Sequence, residues 1–161
     1  MPLLYLTHMP LTYISGDPLL TQQPILAIGS NAAGRTETSP LAMALLTRYP
    51  AAFASYGKLC RQGRIAAGTM WVWRETKPAL AFMVVRETPV GATRLRYVDG
   101  VVMALARDYA RDNIRSIAIA PLGAAHEQAE IQAVFDRWLT KSSLPVIAYT
   151  DYLPGVAAEA D

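Results

Sequence analysis

The chain has 161 residues, enough for one domain with a hydrophobic core of its own. Hydrophobic residues make up 52% of it and charged residues 17%, which excludes an intrinsically disordered chain. With 15 basic and 13 acidic residues the net charge is +2, too balanced for a protein that coats nucleic acid. In chain order, two short extended pieces come first, at 3–7 and 11–15, separated by His8-Met9-Pro10. Gly16-Asp17-Pro18 is a turn signal. The uninterrupted apolar run Ile25-Leu26-Ala27-Ile28 suits a strand buried on both faces. Ser39 and Pro40 give an N-cap and a first helical residue, and Leu41, Leu45 and Leu46 then recur at helical spacing until Pro50. A second helix carries Phe53, Tyr56, Leu59 and Cys60 and closes at Gly63. Cys60, the single cysteine, reads as a core residue and permits no intramolecular disulfide.

Strands are expected at 69–73 and 79–85, with a loop from 86 to 94 that contains Pro89 and Gly91. The segment 95–109 is the clearest helix, with Val98, Val101, Val102, Leu105 and Tyr109 on one face and Arg107, Asp108, Arg111 and Asp112 on the solvated one. An apolar strand follows at 116–120, with Pro121-Leu122-Gly123 as its exit turn. Ile131, Val134, Phe135, Trp138 and Leu139 mark a last helix, and a last strand covers 146–149. Residues 1–154 are read as one domain and 155–161 as a frayed tail. No run of 18 apolar residues exists and the N-terminus lacks the basic start of a signal peptide, so a cytoplasmic protein without a membrane span is expected. One cysteine and two histidines predict no metal site, and nothing in the sequence calls for a cofactor.

The later half alternates strand and helix, which favours an α/β fold with a mainly parallel sheet. Ligands of such sheets bind beyond the carboxyl ends of the strands, which directs attention to the loops 29–39 and 121–129. Gly29-Ser30-Asn31-Ala32-Ala33-Gly34-Arg35-Thr36 has P-loop spacing, but arginine replaces the lysine and the helix caps lie near Ser39, against a nucleotide triphosphatase.

From about Tyr13 to Tyr149 the order of features resembles a macrodomain, closest to the branch that includes the DNA ADP-ribosyl glycohydrolase antitoxins. The resemblance rests on five features: Gly16-Asp17 followed by Leu19-Leu20; Asn31-Ala32-Ala33-Gly34 after a buried strand; Tyr49-Pro50 with Tyr56 and Gly68; the stretch from Arg115 through Ile117-Ala118-Ile119-Ala120-Pro121-Leu122-Gly123; and Tyr149 at the end of the last strand. It implies a three-layer α-β-α fold with a mixed, mainly parallel central sheet. It implies ADP-ribose or a related nucleotide as ligand, with Asp17 accepting from the adenine amino group and Asn31 at the distal ribose. Gly34, Gly123, Ala124, Ala125 and His126 would then lie along the diphosphate, and Tyr149 at the adenine end. If active, such a protein would be an ADP-ribosyl glycohydrolase using Asn31 and a bound water, without a metal. Nucleic acid would enter only as ADP-ribosylated DNA.

The sequence also departs from that pattern. No glycine follows Gly34 before the helix, and only Gly123 stands in the second loop. Glu37 and Glu127 are placed to oppose phosphate, and Val84-Val85-Arg86-Glu87 lacks the lysine that the antitoxin-like branch carries near this strand end. Arginine does not act as a neutral amine near neutral pH. The alternative is an interaction protein that kept the fold and lost the cleft. Its apolar content and the same-side pair Trp71 and Trp73 would then serve a homo-oligomer or partner surface.

Overall fold

The computed structural model describes residues 10–159. Its elements are β1 (Leu11–Gly16), a 3-10 turn (Pro18–Leu20), β2 (Ile25–Asn31), α1 (Pro40–Arg48), α2 (Pro50–Arg61), β3 (Met70–Trp73), β4 (Ala79–Arg86), α3 (Leu95–Asp108), β5 (Ile117–Ile119), a second 3-10 turn (Ala125–Glu127), α4 (Gln128–Leu139) and β6 (Val146–Tyr152). The expected strand at 3–7 lies outside the described residues.

The six strands form one sheet in the order β1-β6-β5-β2-β4-β3. All neighbours run parallel except β3, which pairs antiparallel with β4 at the edge. Successive side chains of a strand face opposite ways. Along β4, Ala79, Ala81, Met83 and Val85 therefore join the core with α3 and α4, while Leu80, Phe82 and Val84 join the core with α1 and α2. Two apolar faces need two covers, and the result is the expected three-layer α-β-α arrangement with a mixed, mainly parallel sheet.

Several elements follow directly from local chemistry. The Ser39 hydroxyl accepts from the Ala42 N–H at 3.2 Å and Pro40 opens α1. The valine stripe of α3 is fully covered, and Arg107, Arg111, Asp108 and Asp112 pair on its outer side. Trp71 and Trp73 share a face as expected and pack inward against Tyr56 and Phe82. Among the described residues no helix is long and apolar enough to cross a membrane.

The C-terminal segment differs from the expectation of fraying. Residues 153–159 fold back over the end of β1. Leu153 N–H donates to the Gly16 carbonyl, and Asp17 N–H to the Val156 carbonyl at 2.7 Å. The Glu159 carboxylate then accepts from the Thr21 hydroxyl, the Gln22 N–H, the Gln23 amide and the Tyr149 hydroxyl. Burial raises the pKa of Glu159, but these donors outweigh it and hold the carboxyl below its ordinary range.

A folded-state pKa below the unfolded one gives stability that is complete above about pH 4.3 and lost as pH falls through the folded value. Glu159→Gln is therefore expected to lower stability at pH 7 by about 1–2 kcal/mol, the range of charge-assisted hydrogen bonds in a partly exposed site. The difference from the parent protein should close on acidification below pH about 4. Urea melts of both proteins across pH 3–8 check this; equal midpoints at pH 7 would show that the latch contributes nothing.

Candidate functional site

β2, β4, β5 and β6 end at the same edge of the sheet, because parallel neighbours share a direction. Their exit loops surround a cleft of about 670 Å³. One wall is Glu37 with the start of α1, the other is the segment 121–128, and Thr150–Tyr152 with Pro154 complete the rim. Arg86 forms part of the floor.

Arg86 is the pivot of this end of the molecule. β4 buries all eight of its residues, and Arg86 is the last of them. Its Nε donates to Glu37 Oε2 at 3.1 Å, both terminal nitrogens reach the Leu122 carbonyl at 3.0 and 3.1 Å, and Nη1 approaches the Thr93 hydroxyl at 3.3 Å. The guanidinium thus ties the two loops together. A Cβ at Gly29 would stand 2.6 Å from the Leu122 carbonyl oxygen and 3.1 Å from Arg86, so only glycine lets β2 approach this junction.

Two carboxylates occupy donors that line the cleft. Glu127 accepts from the Ala124 N–H at 2.8 Å and from the Thr93 N–H at 3.1 Å. Burial raises the pKa of Glu127, but the Ala124 and Thr93 donors and the neighbouring His126 outweigh it, and the carboxyl lies below its ordinary range. Glu37 takes the Arg86 guanidinium on one side and the Asn31 amide, at 2.9 Å, on the other.

No family model matches the chain. A DNA ADP-ribosyl glycohydrolase of Mycobacterium tuberculosis is 27% identical over 156 residues, which is 93% of this chain and 44% of that protein. The chain therefore spans less than half the length of the curated relatives it matches. The macrodomain of Thermus aquaticus DarG superposes with a TM-score of 0.78 at 20% identity, over 89% of this chain and 98% of that one. Thermosipho africanus DarTG in complex with ADP-ribose superposes with a TM-score of 0.79 at 16% identity, over 89% of this chain and 42% of that one. The chain has the macrodomain fold.

The residues singled out from the sequence fall into different parts of this fold. Gly123, Ala124 and Ala125 line the cleft. His126 is exposed beside it and does not line it. Asn31 and Gly34 lie behind the first loop and line a separate pocket. Asn31 is only 2% exposed, and its amide is spent on the loop itself: Nδ2 donates to the Arg35 carbonyl and to Glu37, and Oδ1 accepts from the Arg35 N–H. It belongs to the end of β2 rather than to the loop, since the strand runs three residues past Ile28.

Asp17 and Tyr149 line neither cavity and sit beneath the C-terminal segment. The Asp17 carboxylate accepts from the Leu19 N–H at 3.0 Å and from the Gly155 N–H at 2.8 Å. The Tyr149 hydroxyl donates to Glu159, and burial followed by that carboxylate pushes its pKa well up. The P-loop spacing has no structural counterpart: α1 starts at Pro40, five residues past Arg35. Arg86, Thr93 and Gln128, which also line the cleft, were not among the expected ligand residues. One signal for Arg86 was available, a lone charge closing a run of seven apolar residues.

Proposed function

We propose that the cleft binds ADP-ribose or a related nucleotide diphosphate, and that the chain belongs to the DarG-like branch of macrodomains. The observation that carries this reading is the cleft itself. A concavity of about 670 Å³ at the carboxyl ends of parallel strands has the size and position of a nucleotide site. Its second wall is formed by Gly123, Ala124 and Ala125, and the Ala124 and Thr93 N–H groups that converge on one carboxylate make an anion site. Support also comes from the relatives: one solved structure of this fold carries ADP-ribose, and the curated relatives are DNA ADP-ribosyl glycohydrolases.

In this reading Glu127 is an internal stand-in for a ligand phosphate, since its carboxylate oxygens accept from Ala124 and Thr93. Ligand entry turns that side chain out of the loop. The geometry favours binding over bond cleavage, because Asn31 would have to release both Arg35 and Glu37 to touch a ribose. Arg86 offers no amine, and its guanidinium is already committed to Glu37 and the Leu122 carbonyl.

Calorimetric titration with ADP-ribose tests the proposal. The parent protein is expected to give a saturable isotherm, and Glu127→Gln to bind about tenfold more tightly. Removing one like charge about 4 Å from a phosphate changes the energy by roughly 1–4 kcal/mol, and tenfold sits at the low end of that range. The two occupied donors also favour a second reading, an interaction protein whose loops are closed by its own glutamates. No heat at millimolar ADP-ribose from either protein, with the fold intact by circular dichroism, would select that reading.

A further inference from the structure

A second cavity lies on the other side of the first loop. It measures about 340 Å³ and lies between β2, α1 and α2. Its body is apolar: Ile28 comes from the sheet, Leu45 and Leu46 from α1, and Pro50 and Phe53 from α2. Two of its hydroxyls, those of Tyr56 and Ser30, are neutral and bonded within the wall. The Tyr56 hydroxyl donates to the Asn31 carbonyl at 2.8 Å, and the Ser30 hydroxyl lies 3.1 Å from both Tyr56 and the Met83 carbonyl. Burial keeps the Tyr56 phenol protonated.

The charges at its edge are unequal. Glu37 lines it too, but its carboxylate is matched by Arg86. Arg35 and Arg61 also line it, both are exposed, and among the described residues neither guanidinium pairs with a carboxylate. Arg61 turns back along α2, so that a Cβ on Gly57 would stand 3.3 Å from its Nη1. That places the guanidinium beside the cavity wall. The cavity therefore combines a mostly apolar interior with two uncompensated cations at its edge.

We infer that this pocket is a small-molecule site separate from the cleft, and that it takes a compact apolar acid. The ligand has an aromatic or short aliphatic body, which displaces water from Ile28, Leu45 and Phe53, and one anionic head placed against Arg35 and Arg61. Sugars and free nucleotides fit it poorly, because an interior built mainly from Ile28, Leu45, Leu46, Pro50 and Phe53 does not replace their hydration. The inference stands independently of the nucleotide reading of the cleft.

The probe is 1-anilinonaphthalene-8-sulfonate, an aromatic body with one anionic group, followed by its fluorescence on the full chain. One saturable site is expected, emptied by octanoate and about tenfold less effectively by octanol. Ala54→Trp and Leu46→Trp, two independent ways to fill the pocket, should each remove binding while circular dichroism and the urea midpoint report a folded protein. Arg35→Gln with Arg61→Gln should erase the preference for octanoate over octanol. Ala125→Trp, which lines only the cleft, should leave probe binding unchanged. The inference fails if no saturable binding appears, if a folded pocket-filling variant still binds the probe, or if Ala125→Trp removes it. It also fails if the arginine pair has no effect on the choice between acid and alcohol.

Discussion

Replacing Arg86 by methionine should destabilise the protein by about 3 kcal/mol, the low end of the cost of breaking a buried ion pair. The side chains of Arg86 and Glu37 are 10% and 17% exposed, so neither charge is well hydrated by itself. Methionine fills much of the volume but donates nothing. It leaves the Glu37 carboxylate with the Asn31 amide alone, and the Leu122 carbonyl without either guanidinium nitrogen. Most of the cost is therefore the stranded carboxylate rather than the lost attraction. Glu37→Gln in the Arg86→Met background should recover about 1 kcal/mol or more, because a neutral amide costs less to leave in that position. Urea melts of the parent, the two single variants and the double variant measure this coupling. Additive single effects would mean that Glu37 is hydrated through the cleft and that the pair does not brace the loops.

The second large effect separates two glycines with the same backbone geometry. Gly34 and Gly63 both have φ of +69°, a region that costs an L-residue roughly 1–2 kcal/mol. Around Gly63 a Cβ would meet nothing within 4 Å. At Gly34 it would stand 2.7 Å from Cys60 Cβ and 3.0 Å from Gly57 Cα, where the first loop rests on α2. Gly63→Ala should therefore lose about 1 kcal/mol, the backbone term alone. Gly34→Ala should lose about 3 kcal/mol or more, because packed helix backbone has to move. Denaturation midpoints of the two variants, compared side by side, read the packing contribution as their difference. Equal losses would mean that the loop and α2 separate easily. Such separation would also widen the pocket beside Gly34.

Much of this architecture was legible because it is written in local signals. Ser39-Pro40 fixed the start of α1, the valine stripe of α3 fixed its buried face, and the apolar run in β4 announced a strand covered on both sides. The macrodomain order of features was legible for the same reason, since short segments carry it. The site was less legible, because its geometry depends on partners far apart in the chain. Arg86 reaches Leu122, Thr93 donates to Glu127, and Glu159 gathers Thr21 to Gln23. The segment 155–159 reads as a tail by its small residues, and its pairing with Asp17 together with the donors held by Glu159 orders it. Asn31 had the residue type of a ligand contact but follows a more local rule: asparagine side chains readily satisfy nearby backbone groups. Glu37 and Glu127 were legible as charges set against phosphate. Their possession of the donors was not, because hydrogen-bond partners are a property of the folded loops.

In the proposed function, the cleft beyond β4, β5 and β6 accepts a nucleotide diphosphate in exchange for an internal carboxylate. Amide-detected NMR of the full chain during ADP-ribose titration reports on that exchange at the atoms concerned. The Ala124 and Thr93 N–H resonances should move together and saturate, with the Gly63 amide stationary as an internal reference. Ala124 and Thr93 resonances that stay fixed at millimolar ADP-ribose, in the parent and in Glu127→Gln, would contradict it.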